Sequence, residues 1–339
     1  MTPSLLLTMN DDVMRKILEN VDYCGIQTLR KTCHSLRNFI DDTLPSPSTS
    51  SITIIVEPEI ISFDLNFSTF DLPLGIVYHK KENGTLIEKV MQFEEATVSP
   101  QKLKFLENSD FMESFFSDFQ IFLKFLKSQK SPLQHFEFTL CAVNGSEFCK
   151  KMRKILEESE TLTTSSLTLR VHNAFEVLSF LPNFRARNLK RIEISNSKRT
   201  DDDLNLARVS ELEQWKKAET VVVNFFTVRG PERFLGFSKS LANFMTIREE
   251  EAKVMVESFR TLPNFKSCQL NYIYLDEPIF GALGAHPFID QDYLGRARRR
   301  WFRKTLDPRK ILLIELNPKF ILFKKIGLEG VPENAVLED

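Results

Sequence analysis

The stretch from Arg296 to Lys304, RARRRWFRK, gathers six cations, Arg296, Arg298, Arg299, Arg300, Arg303 and Lys304, around Trp301 and Phe302. Guanidinium groups beside aromatic rings can neutralise phosphates, or serve as a nuclear-import signal. On a helix the same stretch would turn Leu294, Ala297 and Trp301 inward and leave the arginines as a solvated face. That solvated face is the reading preferred here, with acidic runs at Asp201–Asp203 and Glu249–Glu251 as its counterbalance within the chain. Nothing else is arranged for bond-making chemistry. His34, His79, His135, His172 and His286 are scattered, without i,i+4 pairing or a nearby cysteine pair, so each reads as structural. The chain contains no Gly-x-Gly-x-x-Gly, no phosphate-binding glycine loop, no Gly-x-Ser-x-Gly and no His-Glu-x-x-His. No catalytic, cofactor or metal residues are expected.

Composition agrees. Of 339 residues 42% are hydrophobic and 27% charged, with a formal net charge of -1, so no global charge pulls the chain toward nucleic acid or membrane. Phenylalanine, with 30 residues against five Tyr and two Trp, fills a core without a polar handle. Cys24, Cys33, Cys141, Cys149 and Cys268 form no Cys-x-x-Cys pair and leave an odd one, which fits thiols kept reduced in cytosol or nucleus. The Leu5–Leu7 run is too short for a signal peptide, so the sequons at Asn66, Asn83 and Asn144 read as chance matches. No apolar stretch reaches membrane-spanning length. A cytoplasmic or nuclear location is expected.

The elements that carry recognition lie at the start. Val13, Met14, Ile17, Leu18 and Val21 form one apolar helical stripe, opposite Asp11, Asp12, Arg15, Lys16 and Glu19. A second stripe runs Ile26, Leu29, Cys33, Leu36, Phe39 and Ile40, placing Cys33 as a buried small hydrophobe. Two helices of this size rarely hold together without disulfide, metal or partner. The segment is expected to be completed by another protein.

The residues MNDDVMRKILENVDYCGIQTLRKTCHSLRNFID also resemble the F-box, the module that docks onto the Skp adaptor of cullin–RING ubiquitin ligases. Val13–Met14, Ile17–Leu18, Leu29–Arg30, Cys33 and Leu36–Arg37 sit in register with its pattern, whereas Met9, Asn10 and Thr32 depart from it. Asn10 replaces the usual Pro but supplies an N-cap, with Asp11 and Asp12 at the positive end of the helix dipole. The resemblance implies a Skp-type adaptor, and through it a cullin, as partners. Met9, Val13, Ile17, Leu18, Leu29 and Leu36 are the expected contacts.

Behind this module, DDTLPSPSTSS is a linker. The expected organisation is a helical module over 1–42, a linker over 43–51, a β-hairpin and helix region over 52–130, a strand/helix domain over 131–326 and a tail over 327–339. KENG predicts a hairpin turning at Asn83-Gly84. A helix is expected over Phe111–Lys127, opened by Asp110 with Glu113. From Leu133, strands and helices alternate at roughly the 20–29-residue period of leucine-rich repeats, without a regular turn residue. One of these helices is expected to start at Thr246 with Glu249. The fold class expected is α+β or α/β: a small F-box followed by an irregular leucine-rich-repeat-like domain.

VSELEQWKKAETVVVNFFTV followed by RFLGFSKSLANFMTI resembles the FTH domain that follows many F-boxes. That order implies a substrate receptor whose C-terminal domain holds an unnamed target protein. A nucleic-acid-associated scaffold using Arg296–Lys304 is the alternative. Trp215 reads as a core wedge.

Overall fold

The computed structural model describes residues 9–339, apart from 22, 47, 69–72, 92–101, 142–144, 160–161, 277–278, 292–294 and 296. Arg296, Leu294, the Leu5–Leu7 run and the Asn144 sequon therefore lie outside the described residues, as does the Cys24 side chain. The chain divides into two compact units at Ser165/Ser166.

The first unit opens with three helices, α1 (Asp11–Glu19), α2 (Tyr23–Leu29) and α3 (His34–Thr43). The stripe expected to form one helix from Ile26 to Ile40 is broken. The Thr32 N–H and hydroxyl both donate to the Leu29 carbonyl, at 3.0 and 2.7 Å, and close α2. Cys33 then takes an extended φ of -158° as the N-cap of α3. It is half-buried rather than buried, since a cap position faces the helix end and not the core.

Strands β1 (Thr49–Val56), β2 (Ile60–Phe67), β3 (Leu74–Lys81), β4 (Gly84–Met91) and β5 (Lys102–Glu107) follow, then α4 (Phe111–Lys127), β6 (Leu133–Leu140) and α5 (Ser146–Glu158). Strands β1 to β5 pair antiparallel with their neighbours, and β6 returns parallel to β1. The order is β5-β4-β3-β2-β1-β6, and α4 lies in the crossover a parallel return requires. As expected, α4 begins where the Asp110 carboxylate accepts the Glu113 N–H, at 3.0 Å. Its phenylalanines meet the alternate residues of β2, with Phe63 edge-on to Phe115, Phe119 and Phe122 at 6.0, 5.7 and 5.4 Å. The hairpin turns at Glu82-Asn83, one residue before the expected place, because Lys81 already pairs with Gly84. Gly84 has φ +151° and lies against β5, where a Cβ would run into the Leu106 carbonyl oxygen.

The boundary falls within β7 (Thr164–Val171), and the second unit continues through α6 (Ala174–Phe180), β8 (Arg191–Asn196), β9 (Asp202–Asp203), α7 (Glu213–Lys217), β10 (Thr220–Val228), β11 (Lys239–Ile247), α8 (Glu249–Thr261) and β12 (Ser267–Leu275). The chain continues through α9 (Ile279–Leu283), β13 (Phe288–Gln291), β14 (Ala297–Lys304), β15 (Lys310–Asn317), β16 (Phe320–Gly327) and β17 (Leu337–Glu338). Strands β7, β8, β10, β11 and β12 lie side by side in chain order, all parallel. The strand–helix alternation ends there. Strand β16 pairs antiparallel with β12, and β15, β14 and β13 extend the sheet antiparallel, so it is mixed. The helix expected from Thr246 starts at Glu249, because β11 runs through Ile247 and the Arg248 N–H donates to the Glu251 carboxylate at 2.9 Å. Trp215 is buried, edge-on to Phe234 and Phe237 at 5.8 and 5.4 Å. Residues 327–339, read as a tail, include β17, which pairs parallel with β14.

Candidate partner-docking site

Asn10 starts α1 by accepting the Asp12 N–H on its side-chain oxygen at 3.0 Å, with Asp11 and Asp12 in the first turn. The stripe of α1 is divided by depth. Met14 and Leu18 are buried, Ile17 is half-buried, and Val13 is 47% exposed. Across α2 and α3, Ile26, Leu36 and Ile40 are buried while Leu29 is half-buried, as is Met9 ahead of α1. Of the residues named as contacts, Leu18 and Leu36 therefore sit inside the lobe, and Met9, Val13, Ile17 and Leu29 reach its surface.

The inner side has a partner within the chain. Tyr23 of α2 is buried edge-on against Phe122 and Phe125 of α4, with ring centroids 5.3 and 6.0 Å apart. Aromatic pairs of this geometry add about 0.5–1.5 kcal/mol each beyond their burial. Arg30 and Asp41 brace α2 to α3 with a two-pronged pair, Nη2 to Oδ2 at 3.0 Å, and those hydrogen bonds hold the guanidinium pKa above its ordinary value.

The arginine cluster is a strand rather than a helix. In β14, Trp301 and Phe302 are both buried, on opposite faces of the sheet, which a two-residue period permits and a single helical face does not. Its cations are matched locally. Arg298 grips Asp290 through Nε and Nη2 at 3.1 and 2.8 Å and lies 3.6 Å from Glu315, and Arg300 pairs with the same aspartate. Arg303 meets Glu338 at 3.1 Å, Lys304 meets Asp339 at 2.6 Å, and Arg299 lies over the Phe280 ring at 4.8 Å. The Arg298 hydrogen bonds, with the nearby Arg300 charge, hold the Asp290 carboxyl below the usual carboxylate range. The counterbalance is thus Asp290, Glu315, Glu338 and Asp339. Of the two acidic runs, Asp203 pairs with Arg229 and Glu249 with Lys253.

Two arrangements had no signal in the sequence. Parallel pairing of β7 with β8 brings His172 Nδ1 within 2.9 Å of Ser197 Oγ across 25 positions of chain. The adjacent Asp202 carboxylate is held by Thr200 and Asn196 at 2.7 and 3.1 Å, and the neighbouring cavity lined by Asp203, Thr227, Arg229 and Arg233 includes neither His172 nor Ser197. Among the described residues no three His, Cys, Asp or Glu side chains converge as metal ligands. On β10–β12, Asn271 donates to Asn243 at 2.7 Å and Asn243 to the Phe226 carbonyl at 3.2 Å. Beyond this ladder Met245 and Ile273 are exposed. Phe225, in the register break of β10, is exposed at φ 55°. Bulky residues rarely adopt that region, and strain of this kind gathers at binding sites.

Comparison with known families places the F-box domain on residues 6–45 and the FTH domain on residues 146–280. This chain carries an F-box and, behind it, an FTH domain. The F-box match takes in α1–α3, and the FTH match runs from the first residue of α5 into α9. The F-box A protein 224 of Caenorhabditis elegans is 23% identical over 283 residues, covering 83% of this chain and 69% of that protein. No solved structure matches. Within this F-box/FTH protein the two family domains stand in the order the sequence motifs imply.

Proposed function

We propose that this F-box/FTH protein is a non-catalytic substrate receptor of a cullin–RING ubiquitin ligase. The carrying observation is the coincidence of the F-box match with a lobe whose inner face is anchored on α4 while Val13, Ile17, Leu29 and Met9 remain at the surface. Those side chains would grip the Skp-type adaptor, which in turn recruits the cullin. The second unit would hold the target. Its five parallel strands in chain order support a repeat-like reading, and the face with Phe225, Met245, Ile273 and the asparagine ladder is the surface offered. The chemical contribution is positional: tethering raises the effective concentration of target lysines near the charged conjugating enzyme. No residue here needs to touch ubiquitin. The receptor would work in cytosol or nucleus.

The test is co-purification of the full chain with the adaptor. Val13→Lys and Ile17→Lys place a cation in a contact that must lose water, costing about 2 kcal/mol or more, a loss of roughly thirtyfold in affinity. Val13 is already half-exposed, so its replacement leaves folding intact. Undiminished capture by both variants refutes the reading.

A further inference from the structure

Strand β5 pairs with β4 alone among the described residues, and among those residues its other edge has no strand partner for its backbone donors and acceptors. Register places Lys89 of β4 directly opposite Lys102 of β5, and Ile87 opposite Lys104, so that all three lysines share one face of the ribbon. Opposite side chains in such a pair stand about 5 Å apart, and like charges there repel. With Lys31, just beyond α2, these lysines line one groove of about 700 Å³ that also touches the first turns of α4.

The groove also contains three carboxylates against its four lysines, and only Glu113 is matched by a cation outside the groove, so Asp110 and Asp118 keep their charge there. Asp110 accepts the Glu113 N–H as the cap of α4, Asp118 accepts the Tyr78 hydroxyl at 2.8 Å, and Glu113 pairs with Lys151. Lys31, Lys89, Lys102 and Lys104 have no ion pair among the described residues. The balance of fixed charge in the groove is positive, beside the β5 edge. On the opposite face of β5, Leu103 and Phe105 are exposed.

We propose that the β5 edge and its lysine groove bind an extended acidic segment of a partner protein, added as a further strand. The backbone edge would supply register-setting hydrogen bonds, Leu103 and Phe105 would cover one face of the incoming strand, and the lysines would select carboxylates on the other. This site belongs to the first unit; Lys31 stands two residues from Leu29 inside the F-box match, whereas Lys89, Lys102 and Lys104 lie outside that match, so substitutions on β5 leave the residues proposed to grip the adaptor unchanged.

The test uses the full chain and three fluorescent probes: a ten-residue alternating Glu-Val peptide, its Lys-Val counterpart, and an oligothymidylate of equal charge. Anisotropy should show the Glu-Val peptide binding, with affinity falling as salt rises. The double variant Lys102→Glu, Lys104→Glu should weaken it about tenfold or more, since two attractions become two repulsions. The same variant should gain affinity for the Lys-Val peptide. The milder Lys104→Gln should give a partial loss, and none of these changes should alter capture of the adaptor. Absence of Glu-Val binding overturns the proposal, as does affinity that survives charge reversal within twofold. Equal binding of the oligothymidylate also overturns it, since the groove would then be a general polyanion surface. Self-association of the charge-reversed chain without any peptide effect would likewise overturn it, assigning the lysines to protection of a bare edge.

Discussion

Tyr23 is the point at which the F-box lobe is fastened to the rest of its unit, and replacing it should loosen the lobe before anything else. Tyr23→Leu keeps an aliphatic side chain in the same pocket and removes the two edge-on pairs with Phe122 and Phe125, at 5.3 and 6.0 Å. At about 0.5–1.5 kcal/mol per pair the loss is about 1–3 kcal/mol. Tyr23→Ala also leaves a cavity and should cost about 3–5 kcal/mol, as for other large aromatic truncations. The lobe is small, so the cost should appear first as local opening. A loss of about 2.8 kcal/mol raises the open fraction about a hundredfold. Hydrogen exchange on α1–α3 should accelerate accordingly while α4 and β2 keep their protection. A double-mutant cycle with Phe122→Leu should return a coupling within the range of one ring pair. Unchanged exchange across α1–α3 in Tyr23→Ala would show that the lobe is held by something else.

Three further outcomes are expected. Gly84→Ala should destabilise the first unit by about 1–3 kcal/mol in urea unfolding, because the backbone stands at positive φ and the new methyl meets the Leu106 carbonyl. Asp290 has a folded pKa below its unfolded value of about 3.9, so its contribution is present above that value and lost as pH falls through the folded pKa. Asp290→Asn should therefore flatten the acid limb of the unfolding midpoint against pH, where wild type falls. Burial pushes the Cys268 thiol up to about 12, so at pH 8 in the folded protein it should resist iodoacetamide while exposed Cys141 is labelled, which peptide mass mapping reads directly. The Cys141 thiol is itself raised, chiefly by partial burial and then by Glu57, so its labelling should be slow but measurable.

Helix α4 was legible to the residue because its signals are local: a capping aspartate and a phenylalanine stripe at helical spacing. The parallel strands were legible for the same reason, as β-branched and aromatic runs. What escaped depends on partners distant in sequence. RARRRWFRK has no helical alternative once Asp290 and Glu315 stand opposite Arg298 and Arg300, but those pairings exist only after β13 and β15 are aligned. The break at Thr32 was visible as a departure from pattern, yet not as a helix end, because a hydroxyl competing for the Leu29 carbonyl looks like any other polar residue. For the docking site, the stripe of α1 was readable, whereas its division into buried Met14 and Leu18 and surface Val13 and Ile17 was not. Periodicity assigns a face, and only the fold assigns its occupant.

The connection from the third helix to the first strand is short, and its far end is pinned: the Gln129 side chain accepts the Thr49 N–H and donates to the Thr49 carbonyl, both at 2.8 Å. Together with the ring contacts at Tyr23, this ties the N-terminal lobe to its unit at two points and makes it a handle, not a bead on a string. A protein that seizes the handle also fixes the heading of the sheet behind it, so the bearing of this unit in an assembly follows from side-chain packing and owes nothing to chain slack.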